Sequence, residues 1–250
     1  MDFGLNGKSV VVTGAGGGIG RACALAFALE GANITVSDIQ IKNAERVALE
    51  INAIGGRALA VRHDVSDTDE NARLMRAATE AYGTVDVLVN SAGIFQSASI
   101  DDLTATDWDR VMDVNLRGVF LCSQAALRHM VPRRSGVIVS LGSVAGQVGG
   151  IFAGANYATS KAGVISLTKS LAKYAGPYGV RVNCVNPGQI DTPMTQPWPP
   201  DVIAGFLKSI PFGRLGTADE VARVIVFLAS DAASFIHGAH IDVNGGMFMD

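Results

Sequence analysis

Tyr157-Ala158-Thr159-Ser160-Lys161 places a phenol and an amine four residues apart, a spacing that puts both on one face of a helix. A fixed ammonium beside a phenol favours the phenolate. A free phenol has a pKa of about 10, so service as a base near neutral pH needs that value lowered by roughly two to three, on the order of 3 to 4 kcal/mol of preferential stabilisation. Tyr and Lys at this spacing also occur on ordinary amphipathic helices, where the lysine stem runs past an aromatic ring to reach water. The pair therefore needs partners before it means catalysis.

The chain that must supply them has 250 residues, 48% hydrophobic and 17% charged, with 29 glycines and a formal net charge of -3. This composition builds a sizeable core and suits helices packed closely on a buried sheet better than a disordered or fibrous chain. No basic block tracks a phosphate backbone, so a small-molecule partner is expected and a nucleic acid is not. Cys23, Cys122 and Cys184 lie far apart, with no Cys-x-x-Cys and no histidine at ligand spacing, and His63, His129, His237 and His240 are scattered. The cysteines read as reduced core residues, and no protein-built metal site is expected. Met1 to Lys8 carries no apolar run of signal-peptide type, which implies a cytoplasmic location. Ser135 to Ser160 holds no charge and is long enough to cross a bilayer. Its six glycines, with Ser140, Ser143 and Gln147, make a poor lipid-facing helix, so a buried strand and tight loop fit better and no membrane partner is expected.

Short β-branched runs alternate with segments of helical periodicity. Strands are predicted at Ser9–Thr13, Asn33–Ser37, Ala58–Arg62, Val85–Asn90, Val137–Leu141, Val180–Val185 and His240–Val243. Helices are predicted at Arg21–Glu30, Lys42–Ile54, Thr68–Tyr82, Asp107–Met130, Asn156–Tyr174 and Asp219–Ala229. The alternation implies an α/β fold: a doubly wound parallel sheet of about seven strands with helices on both faces. No linker divides the chain, so one domain over 1–250 is expected, with an excursion around 192–213 covering the substrate. Ligands bind such sheets beyond the carboxyl ends of the strands.

After the first predicted strand comes Thr13-Gly14-Ala15-Gly16-Gly17-Gly18-Ile19-Gly20, opening a helix. Gly14, Gly17, Gly18 and Gly20 permit sharp turns and close approach of a pyrophosphate, and the helix start near Ile19 offers unpaired N–H groups. The residues spell Thr-Gly-x-x-x-Gly-x-Gly, and without Gly-Lys-Ser/Thr they are not a simple P-loop. A flexible turn or a tight strand–helix contact is the alternative. At the end of the second strand Asp38 stands where a carboxylate would accept from both ribose hydroxyls and repel a 2'-phosphate. No Arg occupies Gly17 or Ile39, so NAD(H) is expected over NADP(H), unless Asp38 merely caps the next helix. Asp64, with Val65 next to it, follows the third strand, where contact with adenine or a turn-forming role would suit it.

In order and spacing, these motifs resemble the short-chain dehydrogenase/reductase family, from about Lys8 to Gly246. The Thr13–Gly20 loop is similar to its cofactor fingerprint, and Asn90-Ser91-Ala92-Gly93 resembles its Asn-Asn-Ala-Gly, with Ser91 as a departure. Asn115, Ser143, Tyr157 with Lys161, and Pro187-Gly188 followed by Thr192 complete the match. The resemblance implies a Rossmann fold and an active tetrad of Asn115, Ser143, Tyr157 and Lys161. Tyr157 would exchange the hydroxyl proton, Lys161 would tune it and hold the nicotinamide ribose, and Ser143 would orient the substrate oxygen. Asn115 would hold a helix distortion and a water leading from Lys161 to solvent. Asn90, Ala92, Gly93, Gly188, Ile190 and Thr192 would lie along the cofactor, and a homotetramer would be the assembly. The Ser143–Tyr157 interval is one residue longer than in many relatives, which concerns the loop 145–155 and not the tetrad.

Beside the nicotinamide, Ile94, Phe95, Gln147, Ile151, Phe152, Trp198, Phe206 and Phe212 suggest a mainly apolar wall, with Gln96 and Gln147 free to read a second oxygen and no obvious cation to clamp a carboxylate. Trp198 is either a lid anchor or a packed surface aromatic. A neutral secondary alcohol or its ketone, a polyol included, is the expected substrate. A 3-oxoacyl thioester reductase, on acyl carrier protein or coenzyme A, is the alternative; such enzymes usually consume NADPH, against which Asp38 argues. A non-catalytic NAD(H) sensor would not need Ser143, Tyr157 and Lys161, and a methyltransferase is weaker still.

Overall fold

Ser9 to Thr13 are buried along their whole length as strand β1, and their alternation divides the molecule into layers. Val10 and Val12 enter one apolar cluster and Val11 the other, as the two-residue period of a strand requires. The computed structural model describes residues 3–150 and 152–249. Its elements run β1, α1 (Gly18–Leu29), β2 (Asn33–Asp38), α2 (Ile41–Ala53), β3 (Arg57–Arg62), α3 (Thr68–Tyr82), β4 (Val87–Asn90), α4 (Ala105–Met112), a π-helical turn (Asp113–Arg117) and α5 (Gly118–Arg133). They continue with β5 (Gly136–Leu141), α6 (Ala145–Val148), α7 (Ala155–Ala175), β6 (Val180–Pro187), β7 (Ile190–Asp191), α8 (Pro200–Ser209), β8 (Gly216–Thr217), α9 (Ala218–Ala229) and β9 (His240–Val243).

Among the described residues seven strands form one sheet in the order β3-β2-β1-β4-β5-β6-β9, all parallel. Phe27 of α1, Val47 of α2 and Ile225 of α9 pack on the face of Val10 and Val12. Leu74 of α3, Met130 of α5 and Leu171 of α7 pack on the face of Val11. This is the doubly wound α/β architecture expected. Chain order reverses beside β1, so the crevice between the carboxyl ends of β1 and β4 is where such a sheet accepts a ligand.

Helix Thr68–Tyr82 and strand His240–Val243 coincide with expectation end to end. The segment Asp107–Met130 is helical throughout but changes to a π-helical turn at Asp113–Arg117, which carries Asn115, whose side chain bonds outside the helix, to the Ile94 peptide. The excursion at 192–213 contains α8, a short helix with no fully buried residue whose Val202, Ile203, Phe206 and Leu207 are half-buried. The β7–β8 pair is two residues long and was outside the predicted strands. All three cysteines are buried and free, with burial pushing the Cys23 and Cys122 thiols up. No helix among the described residues is long and apolar enough to cross a membrane.

One hydroxyl ties the crevice together. Thr13 Oγ1 accepts from the N–H groups of Ser91 at 3.1 Å and Ala92 at 3.2 Å, fixing the turn after β4 against the end of β1. Gly14, at φ +63°, must follow, because a Cβ there would come within 2.7 Å of Ala92 Cα. Replacing Thr13 by Val leaves two partly buried donors without an acceptor, so a loss of about 1–2 kcal/mol is expected. Thermal unfolding should show Tm lower by roughly 2–8 °C.

Candidate active site

The long helix α7 begins at Ala155, so Tyr157 sits in its first turn and Lys161 one turn later. The start of a helix carries partial positive charge, a setting that favours a phenolate over a phenol. Lys161 is 5% exposed, and its Nζ donates to the Leu141 carbonyl at the end of β5, 2.8 Å away. It lies 5.8 Å from the centre of the Tyr157 ring. Burial pushes the Lys161 ammonium down to about 8. Burial also raises the Tyr157 phenol, and only the hydrogen bond from Ser143 opposes that. The lowered phenol that the spacing suggested is therefore not produced by the protein groups alone; the desolvation that Lys161 and Tyr157 share acts against charge on both.

Ser143 reaches Tyr157 because the chain turns sharply after β5. Ala145 N–H donates to Ser143 Oγ at 3.1 Å, and Gly146 then lies against α7, where a Cβ would come within 2.6 Å of Ala162 N and the Lys161 carbonyl carbon. Asn115 stands behind this group, fully buried. Its Oδ1 accepts from Ile94 N–H at 2.8 Å, and its Nδ2 donates to Ile94 O at 2.9 Å and Ser160 Oγ at 3.2 Å. A Cβ on Gly93 would lie 3.3 Å from Asn115 Oδ1 and 3.6 Å from Lys161 Nζ, which places Gly93 directly over both.

These groups open onto one cavity of about 1240 Å³. That exceeds the roughly 300–1,000 Å³ of an ordinary single-ligand pocket, enough for a dinucleotide and a second molecule. Gly14, Gly17, Gly18, Ile19, Gly20, Asp38, Asp64, Val65, Ala92, Gly93, Ser143, Tyr157, Lys161, Gly188, Ile190 and Thr192 all line it. Two expected residues do not. Asn90 is buried below the cavity and donates to Ser123 and Ser140, both at 3.0 Å, because its side chain points into the sheet–helix interface. Asn115 supports the wall from behind, as its bonds to Ile94 require.

The residues present fit a dinucleotide. Helix α1 starts at Gly18 with no side chain capping its first N–H groups, and nothing lies within 4 Å of where a Gly17 Cβ would stand. A pyrophosphate would satisfy those donors. Asp38 is held at the far end by the N–H groups of Gly16 at 3.0 Å and Gln40 at 2.9 Å. Asp64 lines the cavity and forms a turn, accepting from Ser66 Oγ at 2.7 Å, which holds its carboxyl below the usual carboxylate range.

Sequence reasoning missed Asn43 and Arg46, which line the cavity beside Asp38. They stand three residues apart on α2, and that helical spacing was the available signal. Arg46 Nη2 donates to Gly16 O at 2.7 Å and Nη1 pairs with Glu50 at 2.6 Å. On the substrate side Ile94, Phe95, Phe152, Trp198 and Phe206 line the cavity, with Met194 and Met247 added. Phe212 is 73% exposed and does not, and Ile151 lies outside the described residues. Neither glutamine lines the cavity: Gln96 Oε1 accepts from Asn156 at 3.1 Å, and Gln147 Nε2 donates to Asp242 at 3.3 Å. Lys208 in α8 is exposed and does not line the cavity.

Residues 14–248 match the family model described as enoyl-(acyl carrier protein) reductase. The 3-oxoacyl-(acyl-carrier-protein) reductase FabG of Thermotoga maritima is 42% identical over 97% of this chain and 98% of its own. The cis-4-hydroxycyclohexanecarboxylate dehydrogenase of Sinomonas cyclohexanicum is 45% identical over 96% of each. The crystal structure of a short-chain type dehydrogenase/reductase from Mycobacterium marinum superposes with a TM-score of 0.95 at 37% identity, covering 98% of this chain and 97% of that one. By the family model over residues 14–248, these identities and this superposition, the chain belongs to the short-chain dehydrogenase/reductase family.

Proposed function

We propose that the protein is an oxidoreductase that interconverts a ketone and its secondary alcohol with NAD(H). The observation that carries this reading is the gathering of Ser143, Tyr157 and Lys161 on the wall of the cavity that the Gly14–Gly20 loop and Asp38 also line. When bound, the nicotinamide accepts or returns the hydride and in its oxidised form adds positive charge beside the phenol. Tyr157 Oη takes the alcohol proton in oxidation and returns it in reduction. Ser143 Oγ donates to the substrate oxygen and orients it. Lys161 supplies a cation whose place is fixed by the Leu141 carbonyl.

Asp38 supports NAD(H) over NADP(H), since a 2'-phosphate would meet its carboxylate in the position set by Gly16 and Gln40. Arg46 adds a cation nearby, but Gly16 O and Glu50 already hold its guanidinium. For the ketone itself, the names of the FabG relatives favour a 3-oxoacyl thioester over a simple alcohol. A second reading, a ring alcohol, is favoured by the apolar aromatic wall and by the name of the Sinomonas relative. A panel of 3-oxoacyl thioesters and cyclic ketones, run with NADH and NADPH, separates them.

Tyr157→Phe is expected to lower kcat/KM by roughly 10²- to 10⁴-fold while NADH binding, followed by its fluorescence, is retained. Turnover near the wild-type rate would remove Tyr157 as the proton carrier. Asp38→Ala should lower the NAD/NADP ratio of kcat/KM by about tenfold or more, as expected when a like-charge contact costing several kcal/mol is removed. An unchanged ratio would mean that another group reads the ribose.

Lys161 also makes a stability prediction. Its folded value, about 8, lies below the roughly 10.4 of an unfolded lysine. Below about pH 8 both states carry the proton, and the cost of burying the ammonium stands in full. Between the two values the unfolded chain binds the extra proton, so stability rises with pH. Urea unfolding at about pH 7 and about pH 10 should show wild type gaining on Lys161→Met by on the order of 3 kcal/mol. Parallel pH dependences would contradict a buried, cationic Lys161.

A further inference from the structure

Four aromatic rings from three separate segments meet across the substrate end of the cavity. Phe95 follows β4, Phe152 follows α6, Trp198 precedes α8 and Phe206 lies within it. Trp198 touches the other three, with ring centroids 4.8 Å from Phe152, 5.2 Å from Phe95 and 5.7 Å from Phe206. Phe95 in turn packs edge-on against the Tyr157 ring at 5.2 Å. These separations are those of rings in direct contact. A polymethylene chain could pass between them only by parting them.

The wall is stiff at its centre. Thr195 Oγ1 donates to Ile190 O at 2.7 Å and accepts from Thr192 N–H at 3.1 Å, and Trp198 N–H donates to Thr195 O at 3.0 Å. Pro197 and Pro199 flank the tryptophan and fix its backbone on both sides. Phe95 is steadied by the two hydrogen bonds that hold Ile94 to Asn115. Trp198 is thus presented by a braced turn, and its contacts with three other rings make it part of a wall instead of an isolated surface aromatic.

We propose that Trp198 is the specificity-determining residue of the substrate site, closing the space beyond the carbonyl carbon so that compact substituents, a six-membered ring or a short acyl tail, are accepted and long acyl tails are refused. The proposal rests on the ketone reading above and narrows it. Within 3-oxoacyl thioesters it selects the 3-oxobutanoyl end of the series, and among simple ketones it selects rings. Both classes leave the wall of Phe95, Phe152 and Trp198 intact and bury apolar surface against it.

The test compares wild type with Trp198→Ala on cyclohexanone and on the N-acetylcysteamine thioesters of 3-oxobutanoic and 3-oxododecanoic acids. Wild type should favour the short thioester over the long one by at least roughly tenfold in kcat/KM. Trp198→Ala should compress that ratio, chiefly through KM for the long tail, while KM for NADH is unchanged. A wild type that takes both tails equally, or a ratio that survives Trp198→Ala, overturns the proposal. If none of the compounds oxidises NADH, the ketone reading fails and binding decides the wall. In a Trp108→Phe background Trp198 is the sole tryptophan, and its fluorescence should respond to cyclohexanone and the short thioester but not to the long one. Equal responses, or no response to any, overturn the assignment to Trp198.

Discussion

The hydrogen bond from Lys161 Nζ to the Leu141 carbonyl is the contact on which the site depends. It joins the first turns of α7 to the carboxyl end of β5, and so sets Tyr157, one turn back, beside Ser143, two residues past the strand. It also holds an ammonium that is 5% exposed, at the wall of the cavity. Burial disfavours that charge, as the fall to about 8 shows, and a single carbonyl compensates it only in part. The protein accepts an unfavourable group because a cation placed under a phenol can do what an exposed one cannot: act at low dielectric without being screened.

Around this contact lies a set of polar groups that never face the ligand. Thr13 fixes the turn after β4, Asn90 bridges Ser123 and Ser140, and Asn115 holds both polar atoms of the Ile94 peptide. Each satisfies backbone or side-chain groups that would otherwise be buried without partners. Together they stiffen the ends of β1, β4 and β5, where the crevice opens. The chain that Asn115 holds leads directly to Phe95, so the same support reaches from the base to the substrate wall.

Much of this was legible in the chain. The strands could be read because parallel, doubly covered strands are continuous apolar runs, and Val10 to Val12 or Ile138 to Val139 look like nothing else. The glycine loop, Asp38 and the Tyr157–Lys161 pair could be read because each falls at the end of a strand or at helical spacing, and Ser143 was implied by the family resemblance. What could not be read depended on contacts distant in sequence. A distortion at Asn115 was implied only by the family resemblance, and the partner of its side chain, the Ile94 peptide 21 residues away, was not implied at all. Asn90 and Gln96 are common polar residues whose direction only the packing decides. Arg46 lies beyond a helix start, and its approach to Gly16 follows from how α2 docks. Trp198 sits in a segment rich in proline whose path has no periodicity to betray it.

The central claim is that Lys161, with oxidised cofactor bound, makes Tyr157 a base. An ultraviolet difference titration of tyrosinate, taken between proteins with and without Tyr157→Phe and saturated with NAD, reads that phenol directly. In the wild-type background Tyr157 is expected to ionise well below the roughly 10 of a free phenol, and in a Lys161→Met background at or above it. The same ionisation in both backgrounds would contradict the account.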